Sequence, residues 1–226
     1  MTVSSCLHSG NQKAQSRLVQ IENGSEILGA IFTDLDLRRI ESEGKTLEEV
    51  LGGRLKAAAA KLTDDSVGDA MVMAKLDSML GKSLYSLGHF EESIDLFKKA
   101  TAIRLKALGP DDRETLATQH NLAEGYVLAG KYDEAIRIHR QTLERTQAIL
   151  GPTHVDTLAS MKDLGNVYVA KGEIDTGVPL IAESLRLSRL TLEPESELIL
   201  TGTNSLAVAY QYQREYARPC RCSRRR

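Results

Sequence analysis

Residues 121–135 read NLAEGYVLAGKYDEA and decide the fold. Leu122, Ala123 and Tyr126 have the three- and four-residue spacing that puts apolar side chains on one face of a helix. Gly130 interrupts this pattern, because glycine readily takes the left-handed conformation that ends helices. A second helix is predicted to begin near Tyr132. The stretch is therefore predicted to form a helix, a tight turn and another helix.

The same pattern returns with a period of 42 residues, the separation of Leu108-Gly109-Pro110 from Leu150-Gly151-Pro152. Residues 79–93 read MLGKSLYSLGHFEES, and residues 163–177 read DLGNVYVAKGEIDTG. Such self-similarity indicates a repeat architecture in which each copy is one supersecondary unit. Each copy is predicted to be a pair of helices. The copies are residues 69–109, 110–151, 152–193 and, incomplete, 194–217.

Small residues recur where the two helices of a pair must approach each other. A larger side chain at these positions would overpack the pair, at a cost of about 1–3 kcal/mol. The aligned positions are Gly81, Ala123, Gly165 and Ala207 in the first helix, and Ser93, Ala135 and Gly177 in the second.

The ends of the helices also have their own signals. Gly151 is predicted to cap the second helix of the second pair, and Pro152 prevents that helix from continuing. The next helix can begin with a side chain that accepts a backbone N–H. Asp112, His154 and Ser196 occupy this slot, and Asp and Ser there can accept such a bond.

Leu122-Ala123-x-x-Tyr126, Gly130, Tyr132 and Ala135 resemble the tetratricopeptide signature. The period and the Leu-Gly-Pro between copies are similar to the kinesin-light-chain-like subclass, over about residues 70–217. This resemblance implies an all-α, right-handed solenoid of antiparallel helix pairs that binds other proteins. The chain departs from the signature at three positions, which are His139, Ile174 and Arg214.

Residues 13–68 lie outside the period and are predicted to be a helical cap, because the end of a solenoid needs a cover for its apolar face. Helices are expected at about 13–32 and 46–62, and residues 1–12 are expected to be disordered. Residues 20–36, 43–45 and 66–69 resemble the stretch before the repeats in some bacterial serine/threonine protein kinases. This resemblance implies a detached regulatory or sensor portion of a kinase system. The chain has no Gly-rich loop, His-Arg-Asp or Asp-Phe-Gly motif of its own.

Residues 218–226, RPCRCSRRR, break the register and form an irregular basic tail. One interpretation is a frameshift, a truncation or an error in the gene model, and the other is a basic interaction tail. Cys220 and Cys222 supply only half of a tetrahedral metal site, so no metal is expected. The incomplete fourth copy would leave the apolar face around Leu206 and Tyr210 uncovered, which predicts fraying or self-association.

Composition narrows the classes of partner. The chain has 29 basic and 31 acidic residues, a net charge of −2, which gives no electrostatic footprint for nucleic acid or an anionic membrane. No apolar run of about 18 residues is present, and Met1 to Gln12 lack the apolar core of a secretory signal. A cytoplasmic protein that binds a protein or peptide partner, without nucleic acid or membrane, is predicted.

The partner is expected in the concave groove, which the first helix of each pair lines. Polar residues opposite the packing face are the candidate binding residues. They are Lys75, Ser78 and Lys82 in the first copy, His120, Asn121 and Glu124 in the second, Lys162, Asp163 and Asn166 in the third, and Thr201 and Asn204 in the fourth. The resemblance implies that an asparagine such as Asn121 bonds a peptide backbone, because its amide both donates and accepts. The lysines could attract carboxylates, which Glu124 and Asp163 would oppose.

No catalytic residue, cofactor or metal is predicted. The five histidines have no metal-ligand spacing, and His89 and His154 are expected beside turns and facing solvent. His139 is expected to be a structural residue at a packing position. The pairs Asp64-Asp65 and Asp111-Asp112 lie at predicted helix starts, where carboxylates interact favourably with the helix dipole.

Overall fold

The computed structural model describes residues 26, 29–33, 40, 42–62 and 67–216. These residues form helices joined by short turns, and none of them lies in a strand. They form two compact units, one up to Gly125 and one from Tyr126. The predicted N-terminal disorder (1–12), the basic tail (218–226) and Asp64-Asp65 lie outside the described residues.

The first unit contains α1 (Leu47–Lys61), α2 (Ala70–Ser86), α3 (Phe90–Ala107) and α4 (Arg113–Leu128), whose last three residues belong to the second unit. α1 corresponds to the helix predicted at about 46–62, whereas most of the one predicted at about 13–32 is not described. A capping box opens α1. The Thr46 side chain accepts from the Glu49 N–H, and the Glu49 carboxylate accepts from the Thr46 N–H.

The apolar core of the first unit joins α1 to the first repeat pair. Leu55 and Ala58 of α1 pack in one cluster with Met73, Leu80 and Leu84 of α2. α2 in turn packs closely against α3. A methyl group added at Gly81 would lie 2.9 Å from the ring of Phe97, which is itself fully buried. The small residue predicted at this position is therefore required by the packing.

The second unit contains α5 (Tyr132–Leu150), α6 (Val155–Lys171), α7 (Ile174–Thr191) and α8 (Glu197–Tyr216). α5 begins at Tyr132, as predicted. Gly151 caps its C-terminal end with a φ of 90°, which glycine adopts readily. α6 and α7 cross at Gly165 and Gly177. A methyl group added at Gly165 would lie 2.9 Å from the Gly177 carbonyl oxygen, so this crossing admits no larger residue.

Asp112 caps α4 as predicted, and His154 caps α6 although only Asp and Ser were expected to accept at this slot. Asp112 accepts from the N–H of Glu114 at 2.8 Å and from that of Thr115 at 3.3 Å. The Nδ1 atom of His154 accepts from the N–H of Asp156 at 3.3 Å. At Ser196 the backbone carbonyl oxygen accepts from the N–H groups of Ile199 and Leu200.

The expectation that His89 faces solvent holds only in part, because His89 is half-buried. Its imidazole lies against Gly52 of α1, where an added methyl group would overlap the ring. Local sequence places His89 beside a turn, and Gly52 of α1 covers one side of its ring. His154 is exposed as expected, and His139 is buried at 4% exposure.

Candidate functional site

A concave pocket of about 210 Å³ lies in the first unit, between the first helices of two successive repeat pairs. α2 and α4 form its walls, and α3 contributes its floor. The lining residues are Lys75, Ser78, Met79 and Lys82 of α2, Arg104 of α3, and Glu114, Ala117, Thr118 and Asn121 of α4. On both walls the residues are three, four and seven positions apart, which places them on one helix face.

Four of the predicted groove residues meet in this pocket, namely Lys75, Ser78, Lys82 and Asn121. The two lysines are exposed, and within the described part of the chain neither has an ion-pair partner. Asn121 is half-buried, so its amide stays accessible from the pocket side. Ser78 differs from expectation, because its side chain is buried and supports other pocket residues.

Arg104 forms the floor of the pocket and is only 7% exposed. Its Nη1 donates to Ser78 Oγ at 2.8 Å and also to Thr118 Oγ1. Both hydroxyls donate their own protons to carbonyl oxygens in the preceding turn, those of Ala74 and Glu114. This leaves their lone pairs to face the guanidinium.

The remaining environment of Arg104 compensates its charge only in part. Its Nε is buried and has no hydrogen-bond partner, although Glu114 Oε2 lies 3.4 Å away. The Glu114 side chain is 64% exposed, so solvent weakens its attraction to the guanidinium. Three cationic side chains therefore face one carboxylate in the pocket.

His120 and Glu124 lie on α4 but do not line the pocket. They are four residues apart, and His120 Nε2 is 3.4 Å from Glu124 Oε1, with both side chains about half exposed. Glu124 was expected to repel a bound carboxylate. In the structure its carboxylate lies beside the His120 imidazole and outside the pocket.

The second unit holds the other predicted groove residues on α6 and α8, which contact each other. Lys162 Nζ is 3.0 Å from Asp163 Oδ1, and both side chains are mostly buried. The carboxylate of Asp163 therefore compensates much of the positive charge of Lys162. Thr201 Oγ1 donates to the Glu197 carbonyl oxygen of its own helix. Asn166 is half-buried and Asn204 is exposed.

Sequence reasoning missed Arg104 and Glu114, but the register contains a signal for the arginine. Positions one and two periods after Arg104 are Thr146 and Ser188, which are both buried hydroxyl residues. Each donates to a carbonyl oxygen of its own helix. The first copy therefore has a buried arginine where the next two copies have a buried threonine and serine. This difference is the signal in the sequence that could have identified Arg104.

None of the described helices is long and apolar enough to cross a lipid bilayer.

A family model described as tetratricopeptide repeat matches residues 72–148 and, overlapping them, 114–176. A crystal structure of TPR-like repeats from Podosopora anserina, designated a kinesin light chain, is 25% identical. The match covers 79% of this chain and 83% of that one, with a TM-score of 0.56. A point variant of the same repeats gives 0.57 at the same identity and coverage.

BtubC (BKLC) from P. vanneervenii shares the fold, with 13% identity, coverage of 90% of this chain and 85% of that one, and a TM-score of 0.55. No curated protein matches the sequence significantly. The resemblance of about residues 13–110 to a kinase-linked segment is supported by none of these matches and stays a prediction. Tetratricopeptide repeat folds generally mediate protein–protein interaction. The predicted all-α repeat fold is thus confirmed, residues 72–176 match the tetratricopeptide repeat family, and the fold is similar to that of kinesin-light-chain-like proteins.

Proposed function

We propose that the protein is a non-catalytic scaffold that holds a segment of a partner protein in the pocket between α2 and α4. The observation that carries the proposal is the convergence of Lys75, Ser78, Lys82 and Asn121 on this one concave surface. These four residues were predicted as groove residues from their positions in the 42-residue repeat alone, before any tertiary contact was considered. Asn121 can donate to and accept from an extended peptide backbone, and the two lysines supply charge at the rim.

The test uses a random 12-residue peptide library displayed on phage and selected on the purified full chain. Selected peptides are then synthesised, and their affinities for the wild type and for Asn121→Ala are compared. We expect the substitution to weaken binding about tenfold, which corresponds to about 1.4 kcal/mol for lost amide hydrogen bonds.

Gln119→Ala is the matched control, because it removes an amide from α4 at a position that does not line the pocket. Equal affinities of the wild type and Asn121→Ala for every selected peptide would refute binding in this pocket.

A second candidate function is self-association through α8. Leu200, Val208, Tyr210 and Tyr212 of this helix are each at least 40% exposed. Ala207 is also exposed, whereas its register equivalents Gly81 and Gly165 are buried under the next helix. The uncovered apolar face was expected around Leu206 and Tyr210. Leu206 is not part of it, because Leu206 packs beside Val169, Ile181 and Ala209.

Sedimentation velocity across a concentration series tests this candidate. We expect a concentration-dependent increase in mass that Tyr210→Glu abolishes, because a charge on an apolar contact surface must be desolvated. A single monomeric species at all concentrations would exclude self-association. The regulatory role beside a kinase rests on the resemblance of about residues 13–110 alone, and an upstream reading frame that encodes no kinase domain would remove its support.

A further inference from the structure

α8 presents to solvent the face that α6 uses to hold α7. Leu158 of α6 is fully buried, whereas Leu200, one period later on α8, is 63% exposed. Gly165 of α6 lies under α7, because a methyl group added there would lie 2.7 Å from Ile181. Its equivalent on α8, Ala207, is exposed. Among the residues that the structure describes, no helix therefore occupies on α8 the position that α7 has on α6.

This face contains a concavity of about 360 Å³ near the C-terminal end of α8. Its lining residues are Ala207, Tyr210, Gln211, Gln213 and Arg214. Except for Gln213, they follow Ala207 by three, four or seven positions, so they lie on one side of the helix. Gln211 aligns with Val169 of α6, and a methyl group added at Gly177 of α7 would lie 2.7 Å from Val169. The concavity thus lies where the start of a second helix would pack.

The second helices of the three complete pairs, α3, α5 and α7, share a pattern at their N-terminal ends. Each begins with an aromatic or aliphatic side chain, has a carboxylate at its second position and has a small, buried residue at its fourth. The small residue permits a close approach to the first helix, where a larger one would overpack the pair. The carboxylates are Glu91, Asp133 and Asp175, and the small residues are Ser93, Ala135 and Gly177.

The charge at the C-terminal end of α8 complements the carboxylate of this pattern. α6 and α7 are antiparallel, so the first turn of α7 lies beside the last turn of α6. That last turn carries Lys171, which lies 2.6 Å from Glu173 and 2.8 Å from Asp133 in the first turn of α5. The last turn of α8 carries Arg214, whose side chain is exposed. A helix that packs on α8 in the same register brings its first-turn carboxylate to Arg214.

From this arrangement we infer that the exposed face of α8 binds an amphipathic helix of a partner protein. The bound helix is antiparallel to α8, with a carboxylate in its first turn and a small residue at its fourth position. This site shares no residue with the pocket between α2 and α4. α8 of a second copy does not have the pattern, because its second residue is Leu198 and its fourth is Leu200. A partner helix is therefore favoured over a second copy at this face.

The probe is a synthetic peptide of residues 132–150, which reproduces α5, with an acetylated N-terminus and fluorescein at its C-terminal end. Its binding to the purified full chain is measured by fluorescence anisotropy. We expect saturable binding that Ala207→Leu weakens at least tenfold, because the larger side chain prevents close approach of the helix. Val208→Leu is the matched control and should bind as the wild type does, since Val208 is exposed but does not line the concavity.

An exchange of charges tests the orientation of the bound helix. Arg214→Glu should weaken binding of the α5 peptide about tenfold. A second peptide that carries Asp133→Lys and Glu134→Lys should bind Arg214→Glu more tightly than it binds the wild type. Ala207 and Arg214 are both exposed, so the substitutions leave the buried core unchanged, and circular dichroism verifies that the variants fold.

Absence of saturable binding, or equal affinities of the wild type and Ala207→Leu, would overturn the inference. A lysine peptide that prefers the wild type to Arg214→Glu would do the same. Loss of binding in Asn121→Ala would place the peptide in the pocket between α2 and α4 and not on α8. A wild-type dimer that the peptide fails to dissociate in sedimentation velocity would assign the face to a second copy. None of these outcomes bears on the peptides selected for the pocket, so the proposed function is tested separately.

Discussion

At the scale of single residues, the small side chains fix how closely the paired helices approach. Gly165 and Gly177 face each other, and each backbone occupies the space that the other's side chain would need. Gly81 has the same role opposite the ring of Phe97, where the neighbour is a side chain. The strictest requirement therefore falls on the α6–α7 pair, because a backbone cannot rotate away as a ring can.

Gly165→Ala should lower the free energy of unfolding by about 1–3 kcal/mol through overpacking. Urea denaturation followed by circular dichroism measures the change. The control is Gly53→Ala in α1, where an added methyl group meets no atom within 4 Å. That substitution should raise stability by up to about 1 kcal/mol, because alanine favours the helix. Equal effects of the two substitutions would contradict this account of the crossing.

At the scale of helices, side-chain caps determine where the elements begin. Asp112 satisfies two N–H groups of the first turn of α4, and α4 carries Glu114, Thr118 and Asn121 into the pocket. Fraying of this first turn would therefore move one wall of the pocket. Gly151 has the complementary role at the end of α5, because the chain leaves that helix with a positive φ.

Asp112→Ala should destabilise α4 locally by about 1 kcal/mol, the usual effect of removing a capping acceptor. Hydrogen exchange measures it, as faster exchange of the amides of Glu114 and Thr115. Asp112→Asn is the matched control, because asparagine retains the acceptor and removes only the charge. If both variants exchange alike and faster than wild type, the charge and not the hydrogen bond stabilises the turn.

At the scale of the whole molecule, ion pairs between helices make stability depend on pH. Lys56 of α1 pairs with Glu92 in the first turn of α3, and this hydrogen bond lowers the pKa of Glu92 below its ordinary 4.5. Lys171 lies 2.8 Å from Asp133 and 2.6 Å from Glu173, and these contacts raise its pKa above 10.5. Burial, with a smaller contribution from Glu124, raises the pKa of Tyr85 above 10.0.

The direction of each shift sets the pH range in which its contribution is lost. The contribution of Glu92 is complete above about pH 4.5 and disappears as the pH falls through its lowered pKa. Those of Lys171 and Tyr85 are complete below about pH 10 and are lost as the pH rises further. These side chains are largely solvated, so the loss of stability at low pH and at high pH should each be small.

Thermal melting between pH 3 and pH 11 should therefore show a plateau with a decline at both ends. Glu92→Gln should lower the melting temperature at pH 7 and have a smaller effect at pH 3, because the contribution of the ion pair is lost as the pH falls through the lowered pKa of Glu92. Lys56→Gln in the Glu92→Gln background is the control and should add little. A Glu92→Gln effect of equal size at pH 3 and pH 7 would exclude the ion pair as its cause.

The sequence by itself determined the helix pairs, because helix faces, turns and caps are encoded within a few neighbouring residues. The period placed the turns at Gly130 and Gly151, and spacing along α2 and α4 selected Lys75, Lys82 and Asn121. Compartment and partner identity are not encoded in such local patterns, so cytoplasmic localisation stays a prediction. Only the tertiary structure decided that Arg104 reaches the pocket, that Ser78 accepts a hydrogen bond from it, and that the His89 ring lies against Gly52. These contacts join helices through packing, and the direction of a long side chain between helices has no signature in local spacing.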